Sequence, residues 1–153
     1  MQAIRFLAVL VAATTEVFAE GGTRRIVVSL PDRKIALFED GRVVKVYAIA
    51  VGKHSTPSPN GSFRIVSRVA RPTWYQPGKV VPAGPANPLG SRWMGLGYKG
   101  YGIHGTNRPR SIGKAASHGC IRMRNQDVED LFERVEVGDP VELVTETFGG
   151  GGQ

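Results

Sequence analysis

The stretch RRIVVSLPDRKIALFEDGRVVKVYAIAV, residues 24–51, alternates strand-like runs with turn signals. Two runs rich in aliphatic and β-branched residues, Arg24 to Leu30 and Arg33 to Glu39, are separated by Pro31-Asp32. Asp40-Gly41 follows, and these residue types readily adopt the positive φ that a two-residue hairpin requires. The stretch therefore predicts a β-meander at the start of the fold.

Later segments extend this pattern. Gly61 to Val69 and Pro140 to Glu146 are predicted as two further strands. One helix is predicted in DVEDLFERV, residues 127–135, with Asn125 as its N-cap and Gly138 ending it. Its apolar residues recur at i, i+3, i+4 and i+7, namely Val128, Leu131, Phe132 and Val135. The fold class is therefore mostly β, a β-rich mixed α+β domain with one short packing helix.

A long segment between the strands and the helix, Arg71 to Ile103, is rich in glycine and proline. It is predicted to be irregular, and an irregular segment of this length inside a compact domain is usually functional. Its aromatic residues are Trp74, Tyr75, Trp93, Tyr98 and Tyr101. We interpret it as a substrate groove or a lid.

The first residues, 1–19, have the three parts of a secretory signal. Arg5 supplies the positive charge, Phe6 to Ala13 the apolar run, and Val17-Phe18-Ala19 the cleavage site. Because no second apolar run follows, we expect no transmembrane segment and an exported protein in the periplasm or cell wall. Residues 20–147 are predicted as one domain and residues 148–153 as a flexible glycine-rich tail.

The net charge of +7 is unevenly distributed along the chain. Residues 20–124 hold 18 basic and 4 acidic residues, whereas residues 125–153 hold one basic and 8 acidic residues. A basic body indicates an anionic partner. For an exported protein, the cell wall or a membrane surface is favoured over nucleic acid.

Cys120 is the only cysteine, so it cannot form an internal disulfide. Three uses remain for it: an intermolecular disulfide, a metal ligand or a nucleophile. A nucleophile needs a base, and His104 is a better candidate than His118, which lies too close along the chain to face the thiol. Gly119 leaves room for a substrate carbonyl and frees backbone N–H groups to stabilise an oxyanion.

A zinc site is the competing chemistry. Cys120, His118, His104 and His54 are its possible ligands, but the spacing lacks a second cysteine pair or a helical His-x-x-x-His pattern. We therefore predict no metal and no cofactor, and we expect His54 to be an exposed side chain.

The stretch YGIHGTNRPRSIGKAASHGCIRM, residues 101–123, resembles the signature of the YkuD-type L,D-transpeptidases. TPSPNGSFRI, residues 56–65, and NPLGSRWMGL, residues 87–96, are similar to two other segments of that family. The family often has asparagine where this chain has Arg122. The resemblance implies a YkuD-like β-sandwich with a long irregular substrate loop, and peptidoglycan stem peptides as substrate.

The resemblance also implies roles for individual residues. Cys120 would be the nucleophile and His104 the proton acceptor and donor, oriented by the backbone carbonyl of Gly105. His118 would line the site, and backbone amides from His118 through Gly119 to Cys120 would form the oxyanion hole. A thiol of ordinary pKa is mostly protonated at neutral pH, so an ion pair with His104 is expected to raise the thiolate fraction.

Four residues are predicted to bind substrate: Arg122, Ser117, Tyr101 and Thr106. Arg122 and Arg124 would add positive potential beside the thiol.

The implied reaction is attack on the diaminopimelate–D-alanine bond of a donor tetrapeptide, followed by transfer to an amine. The amine could belong to a second stem, giving a 3–3 cross-link, or to a lysine of an outer-membrane lipoprotein. Transfer to water would make the protein a carboxypeptidase. A different cysteine amidase or a non-catalytic wall-binding module remains open as an alternative.

Overall fold

The computed structural model of the protein describes residues 23–98 and 100–149. The predicted signal, residues 1–19, and the last four residues of the predicted tail lie outside this part of the chain. The backbone N–H of Phe148, at the start of that tail, donates to the Asp32 carboxylate at 2.6 Å.

Twelve strands and one α-helix are observed in the described residues. The strands are β1 (Arg24–Ser29), β2 (Lys34–Glu39), β3 (Arg42–Gly52), β4 (Gly61–Arg64), β5 (Ser67–Ala70), β6 (Trp74–Gln76), β7 (Lys79–Val81), β8 (Arg92–Gly95), β9 (Gly102–His104), β10 (Ala115–Ser117), β11 (Ile121–Met123) and β12 (Pro140–Val144). The helix is α1 (Asn125–Arg134), and a single 3-10 turn spans Pro109–Ser111.

The predicted meander is present. Strands β1, β2 and β3 pair antiparallel in sequence order. Asp40 and Gly41 have φ values of 52° and 77°, as a two-residue hairpin between twisted strands requires. Alternate residues of β1 and β2, such as Ile26, Val28 and Leu37, point into the core and are fully buried.

Ten strands form one sheet in the order β4-β12-β1-β2-β3-β11-β9-β8-β5, with β10 pairing to β3. The two end strands, β4 and β5, are joined by only two residues, Ile65 and Val66. The ends of the sheet must therefore lie side by side, so the sheet curls back on itself. One apolar core fills the interior and takes residues from both halves, including Ile26, Ile103 and Ile121.

Helix α1 closes this core with the apolar face predicted from its sequence. Val128 and Leu131 are fully buried, and Phe132 packs against the cluster. The fold class is confirmed as mostly β with one packing helix. Within the described residues, no helix combines the length and apolarity needed to cross a bilayer.

The prediction of one strand over Gly61 to Val69 is wrong, because the chain changes partners in its middle. Strand β4 pairs with β12, whereas β5 pairs with β8 at the other end of the sheet. At the crossover Ile65 is 1% exposed and Val66 is 53% exposed. The alternating pattern continues through both residues, so it gives no sign of the change.

The prediction that Arg71 to Ile103 lacks regular structure is also wrong. The segment contains the β6–β7 hairpin, strand β8 and the beginning of β9. These strands are only three or four residues long and are separated by proline and glycine, so too few residues alternate to reveal them. The hairpin stands outside the large sheet and forms one wall of the cavity described below.

Candidate active site

Two neighbouring strands bring the predicted nucleophile and base to one place. Strands β9 and β11 pair in parallel, with Ile103 opposite Ile121 and His104 opposite Arg122. His104 ends β9, and Cys120 immediately precedes β11. Both residues line a cavity of about 1150 Å³, here called the main cavity. Residues 16 positions apart in sequence thus share one site.

His104 is buried, stacked and hydrogen-bonded in this site. Its side chain is 5% exposed, and its ring stacks on Trp93 with centroids 5.7 Å apart and an interplanar angle of 23°. The ring Nδ1 donates to the backbone carbonyl of Gly105 at 2.5 Å. Because a carbonyl can only accept, Nδ1 carries the proton and Nε2 of the neutral ring is left to accept one.

Burial lowers the pKa of His104 to about 4, although hydrogen bonds to the backbone of Gly105 and of Leu89 oppose the shift. The charge of Arg122 lowers this pKa further. The imidazole is therefore neutral at pH 7, as a general base must be.

Cys120 is a free, partly exposed thiol whose Sγ lies 3.6 Å from the carbonyl oxygen of Gly100. Burial raises its pKa above the ordinary value. A backbone hydrogen bond from Gly102 and the charge of Arg122 oppose this rise without cancelling it. The thiol is therefore protonated at neutral pH in the unliganded protein.

These two pKa directions favour a neutral thiol and a neutral imidazole over the predicted thiolate–imidazolium pair. The sequence shows that Arg122 lies near the thiol, but it does not show how deeply Cys120 and His104 are buried. Burial has the largest effect on the pKa of both residues. The resting site holds a neutral thiol and a neutral imidazole, so the proton has to move when the sulfur attacks.

We expect the thiolate of Cys120 to be absent at pH 7 and to form only at a higher pH than the thiolate of a free cysteine, because burial raises its pKa. The measurement is the ultraviolet absorbance of thiolate during a pH titration, taken as the difference between the protein and Cys120→Ala. Subtraction removes the ionisation of the tyrosines. A difference signal at neutral pH that vanishes in His104→Gln would instead establish the ion pair.

Ser117 was predicted to bind substrate, but its hydroxyl holds the turn that carries the thiol. The hydroxyl donates to the carbonyl of Cys120 at 2.6 Å and accepts the N–H of Gly119 at 3.1 Å. The Ser117 carbonyl accepts the Thr56 hydroxyl at 2.9 Å. Ser117 lines the main cavity but is 1% exposed, so we assign it to the turn and not to substrate.

The predicted oxyanion hole also needs correction. The N–H of Gly119 is bonded to Ser117 and is not free for substrate. No side chain or loop carbonyl in the described part of the chain accepts the N–H of Cys120, which remains the candidate donor. Gly119 has φ +126°, and a Cβ built there would collide with the ring of Tyr101. Glycine is required here for backbone shape and for contact with Tyr101.

The other predicted residues are divided between the cavity and its supports. Tyr101, Arg122 and the exposed His118 line the main cavity. Thr106, predicted to bind substrate, does not line it: its hydroxyl accepts the N–H of Arg108 at 2.9 Å and shapes the loop after His104. Arg124 lies 3.8 Å from the Asp127 carboxylate and is also outside the cavity.

Asn125, predicted as an N-cap, has a different function. Arg124 occupies the N-cap position without a side-chain bond. The Asn125 side-chain oxygen instead accepts the N–H groups of Ser91 and Thr106, at 3.2 and 3.1 Å. Its amide thus links the loop after His104 to the loop before β8. Asparagine at the start of a helix is typical of an N-cap, and nothing in the neighbouring sequence indicated that Asn125 would bond to Ser91 and Thr106.

Two further residues were not assigned from the sequence. Trp93 forms the stacking partner of His104, and Asn87 is a fully buried amide behind the cavity wall. Asn87 lies in the segment 87–96 that carried a family resemblance, which was the available signal.

The alternative zinc ligands are not gathered into a metal site. His54 is exposed and does not line the main cavity. Among residues 23–98 and 100–149, no three His, Cys, Asp or Glu side chains are grouped closely enough to hold a metal ion.

Comparison with known proteins identifies the family of the chain. The YkuD family model, an L,D-transpeptidase catalytic domain, matches residues 23–143. The chain therefore belongs to the YkuD family of L,D-transpeptidase catalytic domains. It is 48% identical over 119 residues to L,D-transpeptidase YkuD of Bacillus licheniformis, covering 78% of this chain and 64% of that protein.

Two solved structures share the fold. The catalytic domain of an Enterococcus faecium L,D-transpeptidase is 29% identical with a TM-score of 0.65, covering 79% of this chain and 96% of that chain. L,D-transpeptidase LdtMt1 in complex with imipenem is 25% identical with a TM-score of 0.67, and the match covers 81% of this chain and 60% of that chain.

Proposed function

We propose that this protein is an exported peptidoglycan L,D-transpeptidase that acts in the periplasm or cell wall. The main support is the shared cavity of Cys120 and His104, in which the Gly105 carbonyl fixes the imidazole tautomer. A free thiol and a neutral, oriented base that line one cavity are the two groups that nucleophilic acyl transfer needs. Membership of the L,D-transpeptidase family favours a stem peptide as the acyl donor.

In the first half-reaction, Nε2 of His104 takes the thiol proton while the sulfur attacks the carbonyl of the third residue of a donor tetrapeptide. The oxygen becomes negative, and the N–H of Cys120 is the proposed donor to it. The bond to the terminal D-alanine then breaks. The imidazolium returns its proton to the leaving amine, and a thioester remains on Cys120.

In the second half-reaction, an acceptor amine attacks the thioester and gives a proton to His104. The carbon–sulfur bond breaks, and the sulfur regains a proton. A side-chain amine of another stem would give a 3–3 cross-link, a lipoprotein lysine would give an anchored protein, and water would give a free tripeptide.

The walls of the main cavity favour an amine over water. Four aromatic side chains line it: Trp74, Tyr75, Trp93 and Tyr101. Trp74 and Tyr75 belong to the β6–β7 hairpin, which covers one side of the site. Aromatic side chains packed against a bound stem peptide would reduce the water around the thioester and so slow hydrolysis.

The test is incubation of the protein with a purified donor tetrapeptide, with and without a second stem peptide as acceptor. We expect D-alanine release and a cross-linked product whose amount increases with acceptor. D-alanine release that gives only free tripeptide, even with acceptor, would make the protein a carboxypeptidase. Binding to peptidoglycan without any release would favour the wall-binding module. Arg42→Gln, an exposed change on β3 outside the cavity, should give the same products as the unchanged protein.

A further inference from the structure

A second cavity, of about 500 Å³, lies beside the main cavity. Three cationic side chains line it, Arg108, Arg110 and Lys114, and it is here called the cationic cavity. Ala116 also lines it, whereas the next residue of β10, Ser117, lines the main cavity. A single strand therefore separates the two cavities.

No carboxylate neutralises these cations. Within the described residues, neither arginine nor Lys114 forms an ion pair. The sequence contains no Asp or Glu from Gly41 to Gln126. Arg122 in the main cavity adds a fourth positive charge: burial lowers its pKa, and so does the charge of Arg108. An exposed group of positive charges with no acid nearby attracts anions from outside the chain.

Hydrogen bonds fix the backbone of the loop that carries these cations. The N–H of Arg108 donates to the Thr106 hydroxyl at 2.9 Å, and the Arg108 carbonyl accepts the Ser111 hydroxyl at 2.8 Å. The N–H of Gly113 donates to the carbonyl of Ile49 in β3 at 2.8 Å. A hydrogen-bonded loop thus fixes the backbone positions from which the three side chains extend, before any ligand binds.

We propose that the cationic cavity binds a free carboxylate of the acyl acceptor, a stem peptide whose amine resolves the thioester on Cys120. This inference rests on the proposed function and identifies the acceptor as an anionic peptide. The donor fills the main cavity, so the acceptor approaches from its rim. Guanidinium groups bind carboxylates through paired hydrogen bonds. An extended peptide advances about 3.3 Å per residue, so one or two residues reach across a single strand.

The experiment measures two rates with the same donor: D-alanine release in water alone, and cross-linking at increasing acceptor concentration. The variants are Arg108→Gln/Arg110→Gln together and Lys114→Gln separately, with Arg42→Gln as control. We expect the acceptor KM to rise about tenfold in the double variant, equivalent to about 1.4 kcal/mol. D-alanine release in water should stay within about twofold. An acceptor with amidated carboxylates should have the same tenfold higher KM with the unchanged protein. Its KM should not rise further with the double variant.

Several outcomes would overturn the inference. One is an unchanged acceptor KM in both variants with a normal melting temperature. Another is equal binding of the amidated and the free acceptor by the unchanged protein. Binding of a soluble phosphodiester polymer at these cations would then identify a different anionic ligand. Failure of the unchanged protein to release D-alanine would reject the proposed function itself. Normal D-alanine release, with an acceptor KM that is the same in the variants and the unchanged protein, would reject only the inference.

Discussion

Replacement of His104 by glutamine is expected to lower the rate of D-alanine release about a thousandfold, within the range for loss of a general base. The thiol is protonated at rest because its pKa is raised, so attack depends on a base to take its proton. Glutamine keeps a polar planar group in the space next to Trp93 but accepts no proton. The measurement is the single-turnover rate of D-alanine release, with the melting temperature of each variant.

His118→Gln is the matched control, because this second histidine also lines the main cavity but is exposed. We expect His118→Gln to lower the rate of D-alanine release by a factor at least ten times smaller than the factor for His104→Gln. Equal losses in the two variants, with normal melting of both, would overturn the assignment of His104 as the base.

Replacement of Asn87 by alanine is expected to lower the free energy of unfolding by about 3 kcal/mol, and the melting temperature by about 10 °C. The fully buried amide donates to the carbonyls of Pro72, Val81 and Pro82, at 2.8, 3.2 and 3.3 Å. Its oxygen accepts the N–H of Leu89 at 2.8 Å. Truncation leaves these backbone groups buried without partners, which costs more than the bonds themselves contribute.

The measurement is chemical denaturation of Asn87→Ala beside Asn60→Ala. Asn60 is exposed and serves as the control. It should change the free energy of unfolding by less than about 0.5 kcal/mol. Because Asn87 ties the hairpin flank to the loop carrying Leu89, we also expect slower donor turnover in Asn87→Ala. Equal stability of the two variants would show that the amide does not support the cavity wall.

The meander and the helix could be predicted because their signals are local. Asp40-Gly41 specifies a turn with two positive φ angles, and Val128 and Leu131 repeat at the helical spacing. The same reasoning failed at Ile65 and Val66. There the strand pattern continues while the chain passes from one end of the sheet to the other. This change of strand partner follows from the closure of the sheet and has no local signal.

The residue types of the site could be predicted, but their environment could not. The lone Cys120 and a distant His104 indicated nucleophile and base from sequence, and the structure places both in one cavity. Their pKa directions depend on burial by residues far away in sequence, such as Trp93. Likewise, the bonds that assign Ser117 and Asn125 to support roles exist only once the loops are assembled.

The central claim is that the sulfur of Cys120 attacks the donor carbonyl. Its most direct test is the intact mass of the protein after incubation with imipenem, which is bound in the related LdtMt1 structure. We predict one covalent adduct per chain, retained in Arg42→Gln and lost in Cys120→Ala. An adduct that persists in Cys120→Ala, or the absence of any adduct on the unchanged protein, would contradict the account.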